Sequence, residues 1–149
     1  MVYFVDFLEE TVNQKKSLIC VGLDPHPDQM QVDDLYEFCK SIVTEVSPYV
    51  SAIKPNLAFF EAFGIEGLKI LERVLKFVRE INPELILIGD AKRGDISSSM
   101  ERYAKAIFEQ WDFDAATVNP FAGRDSIDPF LQYEDKGVFV WCKSSNPDG

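Results

Sequence analysis

Two hydrophobic periodicities alternate along the chain. Leu18 to Leu23 (LICVGL), Val50 to Ile53, Leu85 to Ile88 (LILI), Ala115 to Val118 and Val138 to Cys142 are apolar runs of strand length. Between them, apolar residues recur at helical spacing. Leu35, Phe38, Ile42, Val43 and Val46 make one stripe, opened by the acids Asp33 and Asp34 and closed by Ser47-Pro48. Ile65, Leu68, Leu71, Leu75 and Val78 make a longer one that stops at Asn82-Pro83. Further helix runs through Tyr103, Ala106 and Ile107, with a short stretch around Ile127, Phe130 and Leu131. Strand and helix patterns in alternation predict an α/β fold with a parallel sheet, and LILI reads as a strand covered on both faces.

Five strand-plus-helix beginnings follow one another without a repeat or a low-complexity linker, which predicts a single domain over residues 1–149. The pattern fits either an open doubly wound sheet or the first part of an eight-stranded barrel, which needs at least ~200 residues. Ser145 to Gly149 read as a loop after a strand, so the chain reads as cut short.

Composition narrows the class. With 46% hydrophobic and 13% aromatic residues, 149 residues support one cooperative core. The net charge of −10, from 25 acidic and 15 basic residues, argues against a nucleic-acid or anionic-membrane surface. It leaves room for a few inward lysines to hold a small anion. Cys20, Cys39 and Cys142 are odd in number, far apart and set among apolar residues, so they read as reduced core thiols of a cytoplasmic protein. The first six residues lack a basic region followed by a long apolar one, and no run approaches the ~18 apolar residues of a membrane span. The expectation is a soluble, unexported protein.

Polar residues gather at the C-terminal ends of the predicted strands: Asp24, Lys54 with Asn56, Asp90 with Lys92, Asn119, and Ser145. Parallel α/β folds place their sites there. Asp90-Ala91-Lys92-Arg93-Gly94-Asp95 is the densest run; alternation aims Asp90 and Lys92 to one face, with Asp95 in the turn beyond. A plainer account has Asp90 and Lys92 as an ordinary ion pair, Asp95 capping the next helix and Lys54 on the surface. Placement on a buried strand favours function, because buried charges must be paired. His26 reads as a solvated loop residue, and Phe59, Phe60 and Phe63 as core. No cysteine, histidine or acid cluster has metal-ligand spacing, and no glycine-rich phosphate loop is present.

Gly22-Leu23-Asp24-Pro25, Ile53 to Glu61 (IKPNLAFFE), Asp90 to Ile96 (DAKRGDI), Thr117 to Phe121 (TVNPF) with Gly123 and Asp125-Ser126, and Cys142 to Pro147 (CKSSNP) resemble, in that order, the strand-end motifs of the orotidine 5'-phosphate decarboxylase family. The likeness runs from Leu18 to the end and is nearest to the bacterial-type branch. It implies a (β/α)8 TIM barrel of which this chain supplies the first five units, working as a homodimer without metal or cofactor. Strands six to eight and the phosphate-gripping loops are not in the chain, so the resemblance implies that these 149 residues alone are inactive or nearly so. It implies, further, that Lys54 contacts the ribose and Asp90, that Asp90 lies near the substrate carboxylate, and that Lys92 protonates C6 of the pyrimidine. Asp95 and Ile96 match the pair each subunit lends its neighbour. Asp24 and Asn56 match ribose contacts, and Ser145 the serine that bonds the pyrimidine. Ser99 stands where a threonine is usual, and Asn119 falls among the substrate-facing positions. Two other readings compete: a magnesium-dependent sugar-phosphate decarboxylase or synthase of the same superfamily, which places an acid where Lys54 stands, and a non-catalytic barrel fragment.

Overall fold

The computed structural model describes residues 3–148; the readings of Met1-Val2 and of the closing Gly149 lie outside it. Five strands, β1 (Cys20–Leu23), β2 (Ala52–Pro55), β3 (Ile86–Arg93), β4 (Ala115–Val118) and β5 (Gly137–Val140), form one parallel sheet in the order β1-β2-β3-β4-β5. Each strand lies beside its predecessor in the chain. A doubly wound sheet reverses direction at a switch point, and among the described residues there is none, so the winding is that of a barrel wall.

The sheet sorts its side chains by face. On the outer face Leu23, Ile53, Leu87 and Val118 pack under α2 (Leu35–Val46), α4 (Gly64–Ile81) and α5 (Ser97–Lys105) in one apolar core. These helices form where the stripes predict them. Asp34 caps α2, its Oδ1 accepting from Glu37 N at 3.0 Å. Arg79 of α4 ties helix to sheet, donating to Leu85 O at 3.1 Å and to Asp114 Oδ1 at 2.9 Å, while Asp114 Oδ2 accepts from Leu87 N at 2.7 Å. Burial pushes the Asp114 carboxyl above the ordinary range despite the Arg79 charge beside it.

Two helices carry no expectation from the sequence reading. α1 (Phe4–Lys15) lays Phe4, with Phe7 and Leu8, over Ala52, Ile86, Ile88 and Ala115 on the inner face. α3 (Leu57–Glu61) is a single turn following β2, with Leu57 and Phe60 fully buried. α3 and α4 meet at Gly67, where an added Cβ would overlap the Phe60 carbonyl oxygen and lie 2.7 Å from Phe63 Cβ. Phe63 itself is 38% exposed, a departure from the core role expected of it, because it sits at the bend that starts α4. Beyond α5 the helix loosens into a π turn, Ala106–Gln110, before β4, and the short stretch near Phe130 is α6 (Asp128–Leu131).

The cysteines also divide differently from the expectation of three core thiols. All are free, but only Cys39 is buried, because Cys20 faces inward from β1 and Cys142 follows β5. Burial pushes the Cys39 thiol up to about 12, so the reactive thiolate is scarce there. Iodoacetamide at neutral pH is expected to label Cys142 in the folded protein and to leave Cys39 unmodified, as peptide mass spectrometry would read; equal labelling would mean that α2 opens readily.

Candidate active site

Strand β3 carries the chemistry because its C-terminal half leaves the regular ladder. Ile88 and Gly89 pair with Ala115 and Ala116, but the next pairing is Arg93 with Val118, so the strand bulges across Asp90, Ala91 and Lys92. Lys92 takes a left-handed backbone, φ 46°, which L residues rarely adopt. Simple alternation therefore fails at Lys92, yet the two side chains meet: Lys92 Nζ donates to Asp90 Oδ1 at 2.7 Å. Lys54 Nζ, from β2, donates to Asp90 Oδ2 at 2.9 Å.

Asp90 is buried and the two lysines are partly exposed, so the carboxylate forms the floor and the ammonium groups the rim. Burial would raise the Asp90 carboxyl, but hydrogen bonds from Lys92, Lys54 and Thr117 together outweigh it and hold the group below its ordinary value. One carboxylate between two ammonium groups leaves a local positive charge in a chain whose net charge is −10. The sign of the pH effect follows. With the folded value depressed, the contribution of Asp90 to stability is complete above the unfolded value of ~3.9 and is lost as pH falls through the folded value. The gap in urea midpoint between wild type and Asp90→Asn is thus expected to close on acidification into that range; a gap that widens would contradict this assignment.

A second contact joins the neighbouring strand ends. Asn56, the cap of α3, donates from Nδ2 to Asp24 Oδ1 at 2.6 Å and accepts from Ala58 N at 3.3 Å. Its backbone bridges to Asp90, which sets this pair beside the lysine–aspartate cluster. The structure thus brings Asp24, Lys54, Asn56, Asp90 and Lys92 together along three strand ends. Asn119 lies just past β4, its Oδ1 accepting from Phe121 N at 2.9 Å, and its Cβ would stand 2.8 Å from one added to Gly94.

Four expected residues stand apart. Asp95 is exposed and accepts from Ile96 N at 2.7 Å; the helix-capping role considered for it is not taken, since α5 begins after Ile96 without a side-chain cap. Ile96 is exposed, Ser99 lies within the first turn of α5, and Ser145 is exposed in a bend five residues beyond β5. Arg93 turns outward, pairs with Glu61 and stacks over the Tyr103 ring at 4.9 Å. Two inward residues escaped the sequence reading. Thr117 Oγ1 donates to Asp90 Oδ1 at 2.8 Å, and the Trp141 ring lies 6.0 Å from Lys92 Nζ. Thr117 shares the face of Asn119 two residues on, and that alternation was the available signal.

Below this cluster, between α1 and the inner face, lies an open apolar cavity of about 590 Å³ lined by Val5, Leu8, Leu18, Ile19, Cys20, Ile88 and Phe139 among others. Among the described residues no three His, Cys, Asp or Glu side chains are grouped as a metal site requires, and no helix is long and apolar enough to cross a membrane.

Residues 17–149 match the model of the "Orotidine 5'-phosphate decarboxylase / HUMPS family". Orotidine 5'-phosphate decarboxylase of Dehalococcoides mccartyi is 45% identical over 144 residues, 96% of this chain and 52% of its own length. That of Roseiflexus sp. is 46% identical over 143 residues, 92% of this chain and 51% of its own. The solved OMP decarboxylase of Leishmania donovani superposes with a TM-score of 0.85 at 39% identity, over 97% of this chain and 55% of that one. The chain spans about half the length of the curated relatives it matches.

Proposed function

Since the chain belongs to the orotidine 5'-phosphate decarboxylase / HUMPS family, we propose that it supplies the catalytic array of an orotidine 5'-phosphate decarboxylase, which converts orotidine 5'-monophosphate to UMP and carbon dioxide in pyrimidine biosynthesis in the cytoplasm. The observation that carries this reading is Asp90 held between Lys54 and Lys92 at the open end of a parallel sheet. Losing carbon dioxide breaks the bond from C6 to the carboxyl carbon and leaves its electron pair on C6. An ammonium preset at that carbon stabilises the growing charge and then gives it a proton. Lys92 does this; it is the more exposed of the two lysines and stands on the left-handed turn beside Asp90. Lys54 orients Asp90 and reaches the ribose, which Asp24 and Asn56 also contact. No metal or cofactor takes part.

The separated residues have roles that one copy of this chain cannot fill. Asp95 and Ile96 reach the site of a neighbouring subunit in a homodimer, while Ser99, Asn119 and Ser145 close on the bound nucleotide. Further strands complete the barrel and its phosphate grip, so that residues 1–149 are an incomplete TIM-barrel domain and alone inactive. Remote phosphate contacts supply binding energy used at the reacting carbon, so their absence lowers turnover as well as affinity. The sugar-phosphate reading is weakened by Lys54, a cation on Asp90 where that branch places an acid.

The test follows ultraviolet absorbance during UMP formation by the chain alone and by the chain joined to the remaining half of the Dehalococcoides mccartyi relative. Activity only in the joined protein is expected. Activity in neither, with the joined protein folded by circular dichroism, would overturn the proposal and turn attention to magnesium with sugar phosphates.

A further inference from the structure

Lys92 is held in an unfavourable backbone conformation, and something must hold it. Regular pairing with β4 stops at Gly89 and resumes at Arg93, so the Lys92 N–H falls in the interrupted stretch, where the ladder supplies no carbonyl. The Thr117 hydroxyl stands in for it. Lys92 N donates to Thr117 Oγ1 at 2.9 Å, and the same hydroxyl donates its one hydrogen to Asp90 Oδ1 at 2.8 Å. Asp90 Oδ1 accepts in turn from Lys92 Nζ at 2.7 Å, so backbone, hydroxyl, carboxylate and ammonium close a ring.

Only certain side chains can occupy that corner. A backbone N–H can only donate and a carboxylate can only accept, so the bridging group must do both from a single position. Serine or threonine satisfies this at the right length, whereas valine has the shape of threonine without the hydroxyl. With the bridge gone, the Lys92 N–H loses its partner inside the strand, and nothing on β4 holds the left-handed turn that aims Nζ.

We propose that Thr117 is a positioning residue that fixes Lys92 Nζ and the Asp90 carboxylate in register for the chemical step. This rests on the decarboxylase reading above for its effect on rate, but the geometric part stands alone. Misplacing a reacting group by about 1 Å costs on the order of 10²-fold in rate. In the joined protein, Thr117→Val is therefore expected to lower kcat about 10²-fold with KM changed less than about threefold, and Thr117→Ser to recover kcat to within about fivefold of wild type. A residue serving only stability would not split kcat from KM in a protein that remains folded.

The second measurement needs no turnover. In the 149-residue chain with ¹⁵N-labelled lysine, hydrogen exchange at the Lys92 amide is expected to be at least about tenfold faster in Thr117→Val than in wild type and near wild type in Thr117→Ser. Unchanged exchange in Thr117→Val, or a kcat within about threefold of wild type, would overturn the proposal. If Thr117→Val does not fold, Thr117→Ser carries the decision: a kcat reduced as far as 10²-fold with protection lost would overturn it. If the wild-type joined protein forms no UMP, the decarboxylase reading fails while amide exchange still decides whether Thr117 holds Lys92.

Discussion

Lys92→Ala in the joined protein is expected to lower the rate of UMP formation by on the order of 10⁴-fold or more, with a smaller change in KM. Two losses multiply. Proton delivery by a positioned acid contributes roughly 10²–10⁴, and a preset charge at the developing anion contributes roughly 10²–10³. The substitution should spare the fold, because Asp90 keeps Lys54 at 2.9 Å and Thr117 at 2.8 Å as partners and Lys92 is partly exposed. Stopped-flow or steady-state absorbance would read the rate, and the thermal midpoint would confirm an intact fold. A rate within tenfold of wild type would move the proton donor elsewhere, with Lys54 the next candidate.

Gly67→Ala is expected to destabilise the 149-residue chain by about 2 kcal/mol, even though alanine is the better helix former. In an exposed helix interior the exchange would gain about 1 kcal/mol. Here the new methyl meets the Phe60 carbonyl oxygen, a backbone atom that already accepts from Phe63 N at 3.1 Å and belongs to a residue buried completely. It cannot give way as the end of a flexible side chain would. Overpacking costs about 1–3 kcal/mol, and an overlap with backbone lies at the upper end, so about 2 kcal/mol of loss remains after the propensity gain of about 1 kcal/mol. Urea denaturation at constant slope would show the loss. Increased stability would mean that α3 can move away from α4 at little cost. Since Asn56 caps α3 and binds Asp24, the displacement should also loosen that pair at the site.

What the sequence made legible was whatever depended on neighbours a few residues away. Ala115–Val118 is a strand with the predicted bounds, and Asp34 opens α2 as its position suggested. The meeting of Lys54, Asp90 and Lys92 was readable as well, because residues at the ends of parallel strands converge whatever the loops do. Longer-range facts were not. α1 shows an apolar stripe at Phe4, Phe7 and Leu8, but nothing local says that it covers the inner face of three strands. The apolar character of Leu18 and Ile19 marks them as residues that need cover, yet Leu18 is 87% exposed beside the open cavity because the described residues do not supply it. Thr117 gained its role from a bulge, and a bulge is a property of two strands that neither one encodes alone.

The strand order has a consequence for how the molecule comes to exist. Cys20 pairs with Ala52, Ala52 with Ile86, Ile88 with Ala115, and Ala115 with Gly137, so every pairing closes a loop of only a few tens of residues. Closing such loops costs little more entropy at the last strand than at the first. Synthesis from the N-terminus can therefore lay each strand onto the edge left by the one before, so that only α1 waits for partners distant in the chain. Polypeptide leaving the ribosome in this order assembles its wall in the direction in which it is made. The lysine–aspartate cluster is then complete once β3 has docked on β2, and β4 follows to lock it.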